Sequence, residues 1–226
     1  MLNEFLFFFH LLLIVAFTIG ALRLGKEALI TWIALQAVLA NLFVLKQIPL
    51  FSLQVTCCDI FILGVVLGLN LLQEYFGALY AKRAIFLSFA SMLAFAVLSK
   101  IHLTYLPSMS DWSQGAYNTI LSHSPRILLA SLASFFIVQQ FDVRFYGWLR
   151  RYFHGKYLSR RTTISLIVSQ AIDTLLFTFL GLSGVIDHLV SIMVMSFFVK
   201  VIIAVCAASC TALFKKFLPV RSEEVA

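Results

Sequence analysis

Residues 51–72 read FSLQVTCCDIFILGVVLGLNLL, a run with a single formal charge, Asp59. The apolar residues do not alternate with polar ones, as they would in a half-buried strand or a membrane barrel. A continuous run of about 20 apolar residues is what a helix needs to cross a hydrocarbon layer roughly 30 Å thick. A helix also satisfies its backbone N–H and C=O groups internally, which lipid demands. Six other runs share this character: 5–22, 28–45, 84–106, 127–147, 163–183 and 189–214. Pro49, Pro107, Pro125 and Pro219 all fall at run boundaries, where helix breakers belong. The sequence therefore predicts an all-α polytopic membrane bundle of about seven transmembrane helices.

Composition points the same way. Hydrophobic residues make up 62% of the chain and charged residues 12%, against roughly 45–50% and about 25% in soluble domains. No water-soluble core of this size could cover that much apolar surface. The net charge of +7 raises the question of nucleic acid, but the cations lie between apolar runs rather than in one solvated patch. They read as orientation signals, with the lipid bilayer as partner and no nucleic acid.

The loops alternate between basic and bare. Arg23 and Lys26 follow the first run, Lys82 and Arg83 the third, and Lys215, Lys216 and Arg221 the seventh. A dense group from Arg144 to Arg161 surrounds the fifth-to-sixth connection, whereas the stretch 107–124 has no lysine or arginine. Thirteen of the 17 basic residues fall on one side of a seven-span chain. The positive-inside rule then places the N-terminus outside and the C-terminus in the cytoplasm, in a plasma (inner) membrane setting. The first run lacks a basic residue before it and has its cations after it, so it reads as a retained span rather than a cleaved leader. The organisation expected is an N-terminal transmembrane helix (1–27), a six-helix core (28–215) and a short cytoplasmic tail (216–226). With no soluble domain, function belongs within or between the helices.

Charges and amides inside such runs are costly and therefore informative, at about 2.5–3.5 kcal/mol or more for a mid-membrane charge. Asn70, Gln73 and Glu74 lie at i, i+3 and i+4, so they share one helical face, and Asp59 falls on nearly the same stripe three turns earlier. Gln170, Asp173 and Thr174 repeat the device in the sixth run, and Lys200 lies inside the seventh. Two readings of the deep charges stand side by side. Asp173 and Lys200 either satisfy each other as a structural pair or meet a polar substrate or coupling proton. For Glu74 the plain alternative is an interfacial pair with Lys82 or Arg83. Cys57, Cys58, Cys206 and Cys210 read as small buried apolar groups with no disulfide or zinc spacing. The five histidines are scattered near run ends, and Trp112, Tyr117, Tyr146 and Trp148 sit where an interfacial aromatic belt is expected. No cofactor is implied.

The order of these motifs resembles a known family. NLLQEYFG (70–77) followed by Ala81-Lys82-Arg83, Phe141-Asp142-Val143 leading to Leu149-Arg150, Ser169 to Thr174 (SQAIDT), and Phe198-Val199-Lys200-Val201 are similar to the queuosine precursor transporter family. That vitamin-uptake-like group is similar in architecture to the S-components of energy-coupling-factor transporters. The resemblance covers about residues 28–215 and implies import of a 7-deazaguanine, namely queuine or its 7-cyano or 7-aminomethyl precursor. It carries over to Asn70, Glu74, Arg83, Asp142, Asp173 and Lys200. Members often carry aspartate at the position of Asn70, which here can hydrogen-bond but offers no charge.

The residue chemistry suits such a ligand on its own terms. A guanine-like edge presents adjacent N–H and NH2 donors to a carboxylate, and its carbonyl asks for a donor such as Gln170, Asn70 or Lys200. The expected substrate site is thus Asp59, Asn70, Gln73, Glu74, Gln170, Asp173 and Lys200, with a small nucleobase-like molecule as ligand. Intramembrane enzyme chemistry finds no framed serine nucleophile and no His-Glu-x-x-His in this chain. A vitamin-binding S-component that needs an ATP-driven partner is the nearer rival, and a purely structural subunit the more distant one.

Overall fold

The computed structural model describes residues 2–44, 46–50, 53–56, 58–122 and 125–182, together with 197, 198, 200, 201 and 205. Among these described residues seven α-helices lie in chain order: α1 (Leu2–Leu24), α2 (Lys26–Leu42), α3 (Cys58–Phe76), α4 (Ala78–His102), α5 (Gln114–Leu121), α6 (Pro125–Tyr152) and α7 (Leu158–Phe177). A five-residue π turn, Thr178–Leu182, extends α7. Five helices (α1, α3, α4, α6 and α7, the last with its extension) are long and apolar enough to cross a bilayer. At 17 residues α2 is shorter than these, rising about 26 Å at 1.5 Å per residue. Most of the run 189–214 lies outside the described residues. The chain is a multi-pass helical membrane protein.

The run 51–72 is not one helix from its start. A two-stranded antiparallel hairpin, β1 (Gln47–Leu50) and β2 (Leu53–Thr56), precedes α3, with Ile48 opposite Val55. Pro49 belongs to this two-stranded ribbon, where a missing N–H is tolerated. The Asn3 side chain donates to the Pro49 carbonyl at 3.1 Å, tying the start of α1 to the hairpin. The 107–124 connection likewise holds the short helix α5, none of whose residues is buried.

Helix α3 is the hub. Of its most apolar window 83% is buried inside the bundle, against 28% for α4, whose remainder is apolar surface such as Phe86, Val97 and Leu98. In water such a surface would demand a partner; in a bilayer lipid covers it. Gly64 and Gly68 bring α2 close to α3. A Cβ on Gly64 would stand 1.8 Å from the Gln36 side-chain oxygen, and one on Gly68 2.7 Å from Ile33 Cγ1. This is the small-xxx-small device that lets membrane helices pack in close contact.

The contacts also set helix directions. Glu74 near the end of α3 meets Arg161 near the start of α7, and Lys200 pairs with both Asp59 at the start of α3 and Asp173 late in α7. Thus α3 and α7 run antiparallel. One end of the bundle gathers the α1–α2, α3–α4 and α6–α7 turns and so carries Lys26, Lys82, Arg83, Arg150, Arg151 and Arg160. The opposite end carries the hairpin. We refer to these as the basic end and the hairpin end.

Candidate functional site

At the basic end, Glu74 is held by a fork. Arg161 Nη1 donates to Oε2 at 2.8 Å and Nη2 to Oε1 at 3.1 Å. The Tyr146 hydroxyl on α6 adds a bond to Oε2 at 3.2 Å, and Arg150 Nε stands 3.7 Å away. The guanidinium also donates from Nε to the Lys156 carbonyl at 2.9 Å and from Nη2 to the Gly155 carbonyl at 3.2 Å. Arg161 and Tyr146 are fully buried. Glu74 therefore pairs with Arg161 rather than with Lys82 or Arg83, both of which are exposed. Tyr146, expected in an interfacial belt, is instead a buried hydrogen-bond donor. Trp148 does occupy a half-exposed position, stacked between Phe145 and Tyr152 along α6.

At the hairpin end, Lys200 Nζ lies 3.0 Å from Asp173 Oδ2 and 3.6 Å from Asp59 Oδ1. Of the two readings left open by the sequence, the pair is what the structure contains, with Asp59 as a second carboxylate. Two anions share one cation. The Asp173 side chain keeps 19% of its surface accessible, while Asp59 keeps 8%.

The two clusters are separated by 15 residues on α3 and 12 on α7, about 22 Å and 18 Å of helix. Between them lies a set of polar side chains with little to bind. Asn70 and Gln170 are fully buried, and every polar atom of both side chains lacks a partner. Gln36, against Gly64, is in the same condition. Gln73 donates to the Val143 carbonyl at 2.9 Å while its Oε1 has no partner. Asp142 on α6, also fully buried, accepts through Oδ1 from the hydroxyls of Ser165 and Ser169, and its Oδ2 has no partner. Gln139 Oε1 and Thr174 Oγ1 are unpartnered too. Native interiors leave few such groups, and each one unpaired costs about 1–3 kcal/mol. Here they are concentrated between two ionic clusters.

The structure thus divides the seven expected residues. Asp59, Asp173 and Lys200 come together, Asn70 and Gln170 lie between the clusters, and Gln73 and Glu74 belong to the basic end. The sequence reading missed Arg161, Tyr146, Ser165, Ser169 and Gln36. A signal was present for three of these, because Arg161, Ser165, Ser169 and Asp173 recur every four residues and share one face of α7. Among the described residues no group of three or more His, Cys, Asp or Glu side chains could hold a metal ion.

A bundle of membrane-crossing helices with polar side chains buried along its interior is the architecture of a multi-pass membrane protein, and its family is one of transporters. Residues 56–214 match the family described as "Putative vitamin uptake transporter", and the chain belongs to that family. It is similar to the "Probable queuosine precursor transporter" of Bacillus subtilis (strain 168), with 31% identity over 223 residues, covering 96% of each chain. No solved structure matches.

Proposed function

We propose that this protein imports a queuosine precursor, a 7-deazaguanine base, through the seam between α3 and α7. The observation that carries the reading is the pair of fully buried amides, Asn70 and Gln170, whose polar atoms have no partner. The name of the 31% identical relative supplies the substrate class. A purine-like edge offers the donors and acceptor that two amides complement, and an amide left unsatisfied without ligand gains most when the ligand arrives. Asp173 adds a carboxylate that keeps 19% of its side-chain surface accessible and can accept from the N–H and NH2 donors of a guanine edge. Glu74, both of whose oxygens lie in the Arg161 fork, holds the bundle together instead of reading the base. By the positive-inside rule the basic end faces the cytoplasm, so the base enters past the hairpin end and leaves past the basic end.

The test is uptake of labelled queuine, 7-cyano- and 7-aminomethyl-7-deazaguanine by liposomes containing the purified chain. We expect one of the three to accumulate above empty vesicles. Asn70→Ala and Gln170→Ala should each raise KM at least tenfold. Uptake no better than empty vesicles for all three bases, with or without an added ATP-driven partner, overturns the proposal.

A further inference from the structure

The basic end holds an open cavity of about 730 Å³, lined by Gln73, Lys82, Arg144, Arg150, Arg151 and His154 together with small residues of α4, α6 and the α6–α7 turn. Neither Asn70 nor Gln170, the amides that carry the import reading, is among its lining residues. Four of its lining residues are permanent cations and none is a carboxylate. Glu74, held by the Arg161 fork, lies 3.7 Å from Arg150 Nε, so Lys82, Arg144 and Arg151 carry most of the cavity's charge. Such a concave arrangement of one sign concentrates its field on whatever occupies it.

The wall is built rather than incidental. Arg161, fully buried, holds the Gly155 and Lys156 carbonyls of the turn and Glu74 of α3 at once. The turn itself is closed by bonds from the Gly155 N–H to the Arg150 carbonyl at 2.9 Å and from the His154 N–H to the Arg151 carbonyl at 3.0 Å. Gly147 lets α6 approach α3, since a Cβ there would come within 2.9 Å of Gln73 Nε2. Gln73, 3% exposed and bonded through Nε2 to the Val143 carbonyl, forms part of the floor.

We propose that this cavity binds the phosphate group of an anionic glycerophosphate. The arginine and lysine donors of its lining take the phosphate oxygens, Arg doing so in bidentate fashion. Two sources offer this chemistry: the headgroup of an anionic phospholipid such as phosphatidylglycerol, and a soluble phosphorylated polyol. A basic pocket between membrane helices suits the first, and the cavity's open mouth admits the second.

The experiment measures binding to the purified full chain in neutral detergent, by native mass spectrometry and thermal shift. The probes are phosphatidylglycerol, phosphatidylcholine with the same acyl chains, and soluble glycerol 1-phosphate. Phosphatidylglycerol should bind at least tenfold tighter than phosphatidylcholine, and the double variant Arg144→Gln/Arg151→Gln should lose that preference. Both positions are exposed, so the variant keeps the fold; Lys82→Gln gives a second, independent removal of charge. Arg160→Gln, on α7 away from the cavity lining, should retain the preference.

Binding of the lipid but not of glycerol 1-phosphate assigns a headgroup site. Binding of both, weakened by the same variants, assigns a soluble phosphate site. Equal affinity for the two lipids with no binding of glycerol 1-phosphate overturns the proposal. A loss from Arg160→Gln as large as that from the double variant also overturns it, because diffuse surface charge would then explain the effect. Queuine uptake is measured separately, so failure of either proposal leaves the other standing.

Discussion

The two ends of the α3–α7 pair solve the same problem differently. At the basic end one carboxylate, Glu74, meets one guanidinium in a bidentate fork with a tyrosine hydroxyl added, and the remaining arginine donors are spent on backbone carbonyls. At the hairpin end one ammonium serves two carboxylates, the further one at 3.6 Å. The first arrangement is rigid, because the planar fork fixes both partners, and Arg150 adds a second cation 3.7 Å from Glu74. The second hangs two carboxylates on the lysine ammonium. One end reads as a fastening, whereas the other leaves Asp173 partly accessible.

The contrast is tested most severely at Arg161. Arg161→Met strips both fork donors from buried Glu74, leaving it the Tyr146 hydroxyl and Arg150 at 3.7 Å, which should cost about 3–5 kcal/mol and show as loss of folded protein in detergent melts. Adding Glu74→Gln should restore some of that stability, because the stranded charge is gone. If Arg161→Met melts like the parent, the fastening role is wrong. Next in size is Gly64→Ala, which forces a methyl into the Gln36 side chain; overpacking predicts a loss of about 1–3 kcal/mol. Pairing it with Gln36→Ala should recover most of the melting temperature.

The hairpin end should respond in the opposite sense. Asp173→Asn keeps the Lys200–Asp59 contact and touches a partly accessible side chain, so the melting temperature should move little while base uptake is lost. Normal uptake in this variant would reduce the cluster to a structural role. The smallest effect on stability is expected midway between the ends. Gln170→Met removes two unpartnered polar atoms and puts an apolar group of similar size in their place, which should be neutral or slightly stabilising. Uptake should nonetheless fall, and a marked loss of stability would mean that Gln170 has a structural partner.

The architecture was largely legible because its cause is local. Each long apolar run had to become a helix in lipid, and prolines marked the boundaries. The start of α3 was misread for an equally physical reason: residues 53–56 are as apolar as a helix there requires, and only pairing with 47–50 makes them a strand. The polar positions on α3 were legible from their spacing, yet their partners were not. Arg161 sits in a stretch so rich in cations that it read as one more orientation signal. The four-residue spacing to Ser165, Ser169 and Asp173 distinguishes it from Arg160, its exposed neighbour, but only the antiparallel approach of α7 to α3 shows its partner. Asn70 and Gln170 drew notice as amides, but that both lack partners is a property of packing.

The paired glycines of α3 bear on how such a molecule opens. With no side chain between them, Gly64 and Gly68 press α2 so firmly onto α3 that neither can slide a turn without collision, and closely packed interfaces of this kind switch between discrete positions or not at all. The seam toward α7 has ion pairs at its two extremities, with Leu166 packed on the apolar face of α3 between them. Rocking there would pull open the cluster at one extremity while the other served as pivot, so the helices α2 and α3 would travel as a single jaw.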